Sequence, residues 1–526
     1  MTRPGASQLD APFTSRCFPL HASCHTVVPV EERERSFISE STVNLMLHST
    51  IRAVTAGALL LASATAQFIP TGSVVVLRVG DPGIGALTSG ATPVYLDVFD
   101  SQTNALINTI AIPNSNSTPP ATPSFTQSGF SFTEGSLSLS ADNRYLVLAG
   151  YDSAVGSSAP ASAPAMMAPR VVCTVDTLTG LIDTSTALID AFDGGTFRGA
   201  TSEDGLNFWV SGSGGSSGSV RYAALGATTS TDIVTSPANG RWVGIHKGQL
   251  YMTSASTGAS AQGVLEVGDG LPTTLVGQAM VLNGFPLTQQ ISDGAPHGFW
   301  FADDQTVYVA DDSGFAGGGA ICGIQKWTES GGTWTRQYNI QTGPGNCAVG
   351  ISGIVRNGVA EIWFTDAAPG FANDLYKVVD TGPTASPVLV AAQPADSDYR
   401  GVAVVGSVVV TTPGGCGSAR LDVTATGLLG TTISSKVRGA NGFAFTNASV
   451  NTLGLPIAGC GCTLLYDLGF LAPTSDLTLT IPSNPSLSGA VMNLQGLDLF
   501  DFVTGCAPLA PGLPVSTTDG KSILLF

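Results

Sequence analysis

The chain has 526 residues, only 11% of them charged, and a formal net charge of −17 at pH 7. Nucleic acids and anionic membrane surfaces bind basic faces, so this acidic balance argues against both as partners. Because surface helices need a polar or charged stripe that this composition rarely supplies, we expect an all-β protein.

Residues 1–66 differ from the rest of the chain. The apolar run Ala53–Ala62 follows Arg52 and leads to the small-residue triplet Ala64–Ala66. This is the pattern of a secretory signal peptide, and the run is too short to span a bilayer. We predict cleavage before Gln67, with residues 1–45 an over-long translation start, and therefore a secreted or cell-envelope protein without membrane insertion. The alternative is a genuine N-terminal tail ahead of an apolar strand.

A hairpin-like unit recurs along the chain after three strand-like runs between Ser73 and Pro113. Each copy has an apolar run, a polar turn and a second apolar run, with the period-two alternation and the Gly, Asn or Asp turns of β-hairpins. The six copies are Ser136–Gly150, Arg198–Gly212, Arg241–Ser254, His297–Asp312, Val349–Asp366 and Tyr399–Thr412.

Repeats of this length predict a β-propeller over residues 67–415. We expect six blades, with seven as the alternative. The last copy has only two strands, and the segment before Asn114 has strands but no paired core. We therefore predict that Ser73–Pro113 completes the blade that Tyr399–Thr412 begins, which closes the ring and removes open sheet edges.

Beyond Cys416 the pattern changes to short strands between Gly, Pro and Asn turns, and residues 416–526 suit a small β-sandwich domain. In an exported protein, cysteines pair more often than they bind metal. Cys322 and Cys347 fall in one repeat and are expected to pair. Two further bridges are possible among the four C-terminal cysteines, and Cys173 is then expected to have no pairing partner. These four are Cys416, Cys460, Cys462 and Cys506.

The segment FWFADDQTVYVADD, with the GIQKW strand, the W-T-x-x-Y strand and YRGVAV that follow, resembles secreted bacterial β-propellers of the broad NHL/SMP-30/YVTN type. The C-terminal part resembles a disulfide-bearing β-domain of exported planctomycete proteins. The resemblance spans residues 73–526 and rests on structural motifs. Since such propellers include lactonases, lyases and binding scaffolds, it implies the fold and no particular activity.

Five polar residues stand where the first strand of a repeat begins: Glu134, Arg198, Arg241, His297 and Arg400. The first strand of every blade lines the central channel, so these positions are expected to converge at its mouth as a binding site. The competing interpretation, which we favour for Arg198 and Arg400, is that buried arginines join neighbouring blades by hydrogen bonds.

Two acidic pairs are candidate Ca²⁺ ligands, although turn capping explains them equally simply. They are Asp303 with Asp304 and Asp311 with Asp312. No other cofactor is expected, since only His246 and His297 follow the predicted cleavage site, too few for a histidine-rich metal centre.

No complete acid–base, nucleophile or metal set is visible in the sequence, so whether the protein is an enzyme stays open. We expect a binding scaffold of the cell envelope or matrix, with a protein, a glycan or a small molecule as its partner. The alternative is a metal-assisted hydrolase or lyase at the channel mouth, with Glu134, His297 and nearby Asp residues as ligands or bases.

Overall fold

The computed structural model describes residues 69–526, apart from 116–121, 132, 216–217, 256–261, 287–293, 314–321, 343–346, 368–371, 458–461, 500–507 and 511–512. The predicted signal peptide lies outside the described residues. Within them, the chain is mostly strand, with two single-turn 3-10 helices at Pro160–Ser162 and Pro485–Leu487. No helix in these ranges is long and apolar enough to cross a membrane. The expected all-β class is confirmed.

The strands fall into three groups along the chain. The first group is β1 (Ser73–Gly80), β2 (Ala91–Thr92), β3 (Val94–Asp100), β4 (Leu106–Ala111) and β5 (Gln127–Ser128). The second is β6 (Leu137–Leu139), β7 (Tyr145–Tyr151), β8 (Arg170–Asp176), β9 (Ile182–Leu188), β10 (Phe197–Ser202), β11 (Asn207–Gly212), β12 (Val220–Ala224), β13 (Thr231–Ser236), β14 (Gly240–His246), β15 (Gln249–Ala255), β16 (Gln262–Glu266), β17 (Gly277–Gln278), β18 (Met280–Val281), β19 (Pro296–Asp303), β20 (Thr306–Asp311), β21 (Gly323–Ser330), β22 (Thr333–Ile340), β23 (Cys347–Arg356), β24 (Val359–Ala367), β25 (Leu375–Val379) and β26 (Val388–Ala391). The third is β27 (Ser397–Val404), β28 (Val409–Thr412), β29 (Arg420–Ala425), β30 (Thr432–Arg438), β31 (Phe443–Ser449), β32 (Thr452–Ile457), β33 (Cys462–Tyr466), β34 (Phe470–Ala472), β35 (Asp476–Thr480), β36 (Val491–Leu499), β37 (Pro508–Ala510) and β38 (Leu513–Leu524).

Six sheets of at least four strands follow one another along the first 404 positions. We number them by their first strand: sheet 1 is β6-β7-β8-β9, sheet 2 is β10-β11-β12-β13 with β17 added in parallel, sheet 3 is β14-β15-β16-β18, sheet 4 is β19-β20-β21-β22, sheet 5 is β23-β24-β25-β26, and the closing sheet is β27-β1-β3-β4. The first strands of adjacent sheets contact one another all the way round, and β27 contacts β6. This closed ring of radially arranged four-stranded sheets is a β-propeller.

The closing sheet joins the two ends of the propeller. β27 supplies its inner strand and pairs antiparallel with β1, Val74 opposite Val404, while β3 and β4 continue the sheet outward. Every residue of β1 is buried, as expected of a strand with neighbours on both sides and sheets against both faces. The sequence predicted this joint from two incomplete units, and the N-terminal strands do pair with the last inner strand.

The last repeat divides between two parts of the molecule. Its first half is β27, but its second half is β28, which pairs with β38 near the end of the chain. Val409–Thr412 therefore belongs with the C-terminal sheets, although the sequence placed it in the propeller. The reason lies in pairing: β1 already occupies the free edge of β27, so β28 has no place beside it.

The C-terminal strands form two main sheets around one apolar core. One sheet has the order β28-β38-β36-β31-β34, with β37 beside β38, and the other is β29-β30-β35. Val423 and Ile433 from the smaller sheet share a buried cluster with Leu494 and Ile523 from the larger one. Burial of this cluster gives the region a hydrophobic core of its own.

Two disulfides join cysteines in the described part of the chain. Cys322–Cys347 pairs as the sequence predicted, but Cys322 precedes β21 of sheet 4 and Cys347 begins β23 of sheet 5, so the bridge joins two sheets rather than lying within one repeat. Cys416 pairs with Cys462, whereas Cys460 and Cys506 lie outside the described residues. Cys173 is buried in β8 as a free thiol.

Candidate functional site

Glu134 and Arg400 lie buried where the closing sheet meets sheet 1. Arg400 donates to Asp398 Oδ2 at 2.9 Å and to the carbonyl oxygens of Ser128 and Gly129, both at 2.9 Å. Glu134 accepts from Ser128 N at 3.1 Å and from the Tyr151 hydroxyl at 3.0 Å. Burial raises the Glu134 pKa although Arg400 opposes the shift. Both side chains thus connect segments of the protein to one another.

Arg198 makes the same kind of connection between sheets 2 and 3. Its guanidinium donates to the Gly240 carbonyl oxygen at 2.9 Å and to the side chains of Asn239, Thr196 and Ser213. Burial, and then the neighbouring charge of Arg241, lowers its pKa to about 10. For Arg198 and Arg400 the geometry therefore agrees with the blade-joining interpretation.

Arg241, His297 and Asp312 form a third connection, between sheets 3 and 4. Asp312 Oδ2 lies 3.1 Å from Arg241 Nη1 and 2.9 Å from His297 Nε2. The His297 contact lies off the direction of the ring N–H, so both ring nitrogens lack an aligned hydrogen-bond partner among the described residues. Burial and Arg241 lower the His297 pKa to about 4, while for Asp312 the two partners overcome burial and lower its pKa to about 2.

The two acidic pairs lie at opposite ends of β20 and do not form one site. Asp303 Oδ1 caps a turn by accepting from Gln305 N at 2.8 Å, and Asp304 contacts His246 and Lys247. At the other end, Asp311 accepts from Ala295 N and Gln325 Nε2, and burial raises its pKa to about 6.

The described residues contain no group of three His, Cys, Asp or Glu side chains arranged to hold a metal ion. Calcium binding by the acidic pairs stays a prediction.

Hydroxyl side chains also join neighbouring sheets, because they donate hydrogen bonds to backbone carbonyl oxygens of the next sheet. Ser211 Oγ in sheet 2 donates to the Arg241 carbonyl oxygen, Thr253 Oγ1 in sheet 3 to that of His297, and Thr365 Oγ1 in sheet 5 to that of Arg400. Each hydroxyl stands in the second strand of one sheet and reaches the first strand of the next. The predicted mouth positions are therefore held by both their side chains and their carbonyls.

The inner strands approach one another closely at this end. A Cβ on Gly350 would lie 2.2 Å from the Arg400 carbonyl oxygen, and one on Gly401 would lie 2.3 Å from Leu137 N. Neither distance is compatible with a side chain, so only glycine permits this packing. Neighbouring inner strands therefore pack directly against each other at these two positions.

A cavity of about 230 Å³ lies farther along the channel. Its walls are the inner strands β6, β14, β19, β23 and β27, and its aromatic lining includes Trp242, Phe299 and Phe301. Two lining residues, Ser136 and Trp242, have buried polar atoms, Oγ and Nε1, without a hydrogen-bond partner among the described residues. Both atoms are themselves enclosed by protein, so they lie behind the surface of the cavity rather than on it.

The C-terminal sheets form the floor of this cavity. Thr424, Thr432 and Ser434 of β29 and β30 line it opposite the propeller strands. Polar contacts to hairpin turns of alternate sheets hold this floor in place. They are Asn143 Nδ2 in sheet 1 to the Ala425 carbonyl oxygen of β29, Arg438 Nη2 of β30 to the Lys247 carbonyl oxygen in sheet 3 at 2.8 Å, and Asn357 N in sheet 5 to the Gly430 carbonyl oxygen at 2.7 Å.

Sequence reasoning singled out the polar residues at the repeat starts but missed the cavity. Charged residues at repeat starts stand out in a chain with few charges, whereas Ser136 and Trp242 look like ordinary strand residues. The available signal was the turn residues: Asn143, Lys247 and Asn357 adopt positive φ in their hairpins and also contact the C-terminal sheets.

No family model and no curated protein matches this chain in sequence. Solved structures resemble its fold. A sialidase of Trypanosoma rangeli, solved with the inhibitor DANA, is 12% identical over 87% of this chain and 90% of that one, with a TM-score of 0.37. A candidate 6-phosphogluconolactonase from Bacteroides fragilis is 11% identical over 80% and 98%, with a TM-score of 0.35. AztD from Citrobacter koseri is 11% identical over 86% and 100%, with a TM-score of 0.27. At these values the likeness carries no argument about the site.

Proposed function

We propose that the protein is an exported, six-bladed propeller that binds a small ligand in its central cavity. The observation that carries the proposal is the cavity itself, which has a volume of about 230 Å³ and is lined by hydroxyl-bearing and aromatic residues. A ligand in such a cavity gains from burying apolar surface and from hydrogen bonds to the polar groups of the lining.

The mouth residues support this assignment indirectly. Glu134, Arg198 and Arg400 have their hydrogen bonds satisfied by neighbouring sheets, so they stabilise the ring around the cavity. Glu134 and His297 contact different partners, Tyr151 and Asp312, so the geometry gives the metal-dependent hydrolase or lyase alternative no specific support.

The C-terminal region is proposed to be a β-sandwich that serves as the floor of the binding cavity. Its two sheets share a core, and Cys416–Cys462 holds β33 to the segment that enters the domain. Disulfides of this kind persist in oxidising compartments, which supports export together with the predicted signal peptide. Attachment to the envelope or matrix is compatible with the same domain, because only one side of it faces the propeller.

The test is to fill the cavity from the floor. Thr432 lines the cavity, whereas its cross-strand partner Thr480 is exposed. We expect small-molecule probes that raise the melting temperature of the wild type to do so in Thr480→Trp but not in Thr432→Trp. Differential scanning fluorimetry against neutral, acidic and basic probes measures this. Equal stabilisation of both variants by every active probe would show that binding occurs elsewhere.

A further inference from the structure

We infer that the cavity takes an uncharged ring rich in hydroxyl groups, the chemistry of a neutral monosaccharide; this rests on the proposed function. Ten of the lining residues are serine or threonine, among them Ser136, Thr201 and Ser434. A hydroxyl both donates and accepts, so it matches the hydroxyls of a sugar in either role. Several are already engaged once, as Ser138 Oγ is with the Ala200 carbonyl oxygen, and still have acceptor capacity.

The charge of the lining points to a neutral ligand. Among its described residues only Asp303 and His246 have ionisable side chains. His246 is already 3.0 Å from Asp304, and Asp303 already accepts the hydrogen bond of a turn. A charged ligand entering this cavity would lose its hydration without gaining an opposite charge, which is costly in a buried site. A neutral polyol has no such cost.

Aromatic rings complete the match. Trp242, Phe299 and Phe301 line the cavity, and Phe299 and Phe301 pack edge to face with their centroids 5.9 Å apart. Ring faces of this kind cover apolar surface, and a pyranose has apolar C–H faces between its hydroxyl edges. The cavity is also far larger than the space one water needs, on the order of 10–15 Å³.

Calorimetry with defined probes tests the inference. The neutral probes are D-glucose, D-galactose and D-mannose; the matched anion is D-glucuronate, and cyclohexanol is the less polar ring of similar size. We expect at least one neutral sugar to bind the wild type and Thr480→Trp, and binding to be lost in Thr432→Trp. Loss of one hydrogen bond in Thr432→Val or in Ser434→Ala should weaken binding about 5–30-fold.

The outcomes separate the two proposals. If D-glucuronate or cyclohexanol binds in a way that Thr432→Trp abolishes while the neutral sugars do not, the ligand class is wrong and the cavity function stands. If no probe up to about 50 mM distinguishes Thr432→Trp from Thr480→Trp, both proposals fail. Ser434→Ala provides the hydrogen-bond test even if Thr432→Val does not fold.

Discussion

The two ends of the propeller channel are held by different interactions. At the mouth, buried charged residues join three pairs of neighbouring sheets; Arg198 joins sheet 2 to sheet 3, and Arg400 joins the closing sheet to sheet 1. At the floor, hairpin turns such as those of Lys247 and Asn357 use backbone groups to contact a separate set of sheets, where one of the donors is the side chain of Arg438. The mouth interactions are therefore internal to the ring, and the floor interactions are added to it.

This difference has an energetic consequence. Removing one partner of a buried ion pair leaves an uncompensated charge, whereas the backbone groups of an uncovered turn can bond to water. We expect the ring to depend strongly on its mouth and on its closing sheet, and much less on its floor.

The largest effect is expected from the closing sheet. Deleting residues 69–111 removes β1, β3 and β4, exposes the edge of β27 and opens the buried cluster around Val75, Leu77 and Val98. We expect cooperative unfolding to be lost, as measured by calorimetry or by near-ultraviolet circular dichroism. The matched truncation after Gly406, which removes the floor, should keep a cooperative transition. A deletion variant that melts like the full chain would contradict the closure.

The next effect is expected at Arg400. Arg400→Met leaves the buried Asp398 carboxylate without its counter-charge, and we expect a loss of about 3–5 kcal/mol in the free energy of unfolding by denaturant titration. Arg144→Met is the control, because Arg144 pairs with Asp176 while 42% of its side chain is exposed. Exposed pairs contribute about 0–1 kcal/mol. If both variants lost the same free energy of unfolding, the buried pair at the mouth would contribute no more than an exposed pair.

A disulfide reinforces the mouth between sheets 4 and 5. Cys322 and Cys347 enclose a loop with a sequence separation of 25, for which the chain-entropy argument gives about 3 kcal/mol. The double variant Cys322→Ser with Cys347→Ser should lose about that much stability in denaturant titration. Reducing agent should then destabilise the wild type more than the double variant, and an equal response would show that the bridge contributes nothing.

The smallest effect is expected from a buried carboxylate. Burial, together with Asp374 and Asp398, raises the pKa of Asp366 to about 7. A group whose pKa is higher in the folded state stabilises fully below its unfolded value and loses that contribution as pH rises through the folded value. Asp366→Asn should therefore remove a decline of about 2 kcal/mol between pH 5 and pH 8.

The control for Asp366 is Asp100. Hydrogen bonds from Thr103 and Gln102 lower its pKa, so Asp100→Asn should lose stability at neutral pH and not at low pH. Chemical denaturation at several pH values measures both variants. A pH profile for Asp366→Asn that matches the wild type would show that Asp366 titrates normally.

Local patterns in the sequence predict most of the propeller. Hairpin cores such as His297–Asp312 appear as β19–β20 because alternation and turn residues act within a few positions. The sheet to which β28 belongs was not predictable in this way. It depends on two pairings between segments far apart in the chain, that of β1 with β27 and that of β38 with β28. The cavity was equally hidden, because the strands that form its floor and its walls are far apart in the sequence. An arginine at the start of a repeat indicated a buried position, but the sequence did not indicate which residues it bonds to.

The antiparallel pairing of β1 with β27 means that the propeller closes only when its two ends meet. Val74 pairs with Val404, which is synthesised 330 residues later. The outer strands of the closing sheet therefore lack their inner partner until all the other inner strands of the ring have been synthesised. Contacts between such distant parts of a chain slow folding, and an unpaired strand edge invites intermolecular association meanwhile. We therefore expect a low protein concentration during folding, or a chaperone that covers β1, to reduce association before the ring closes.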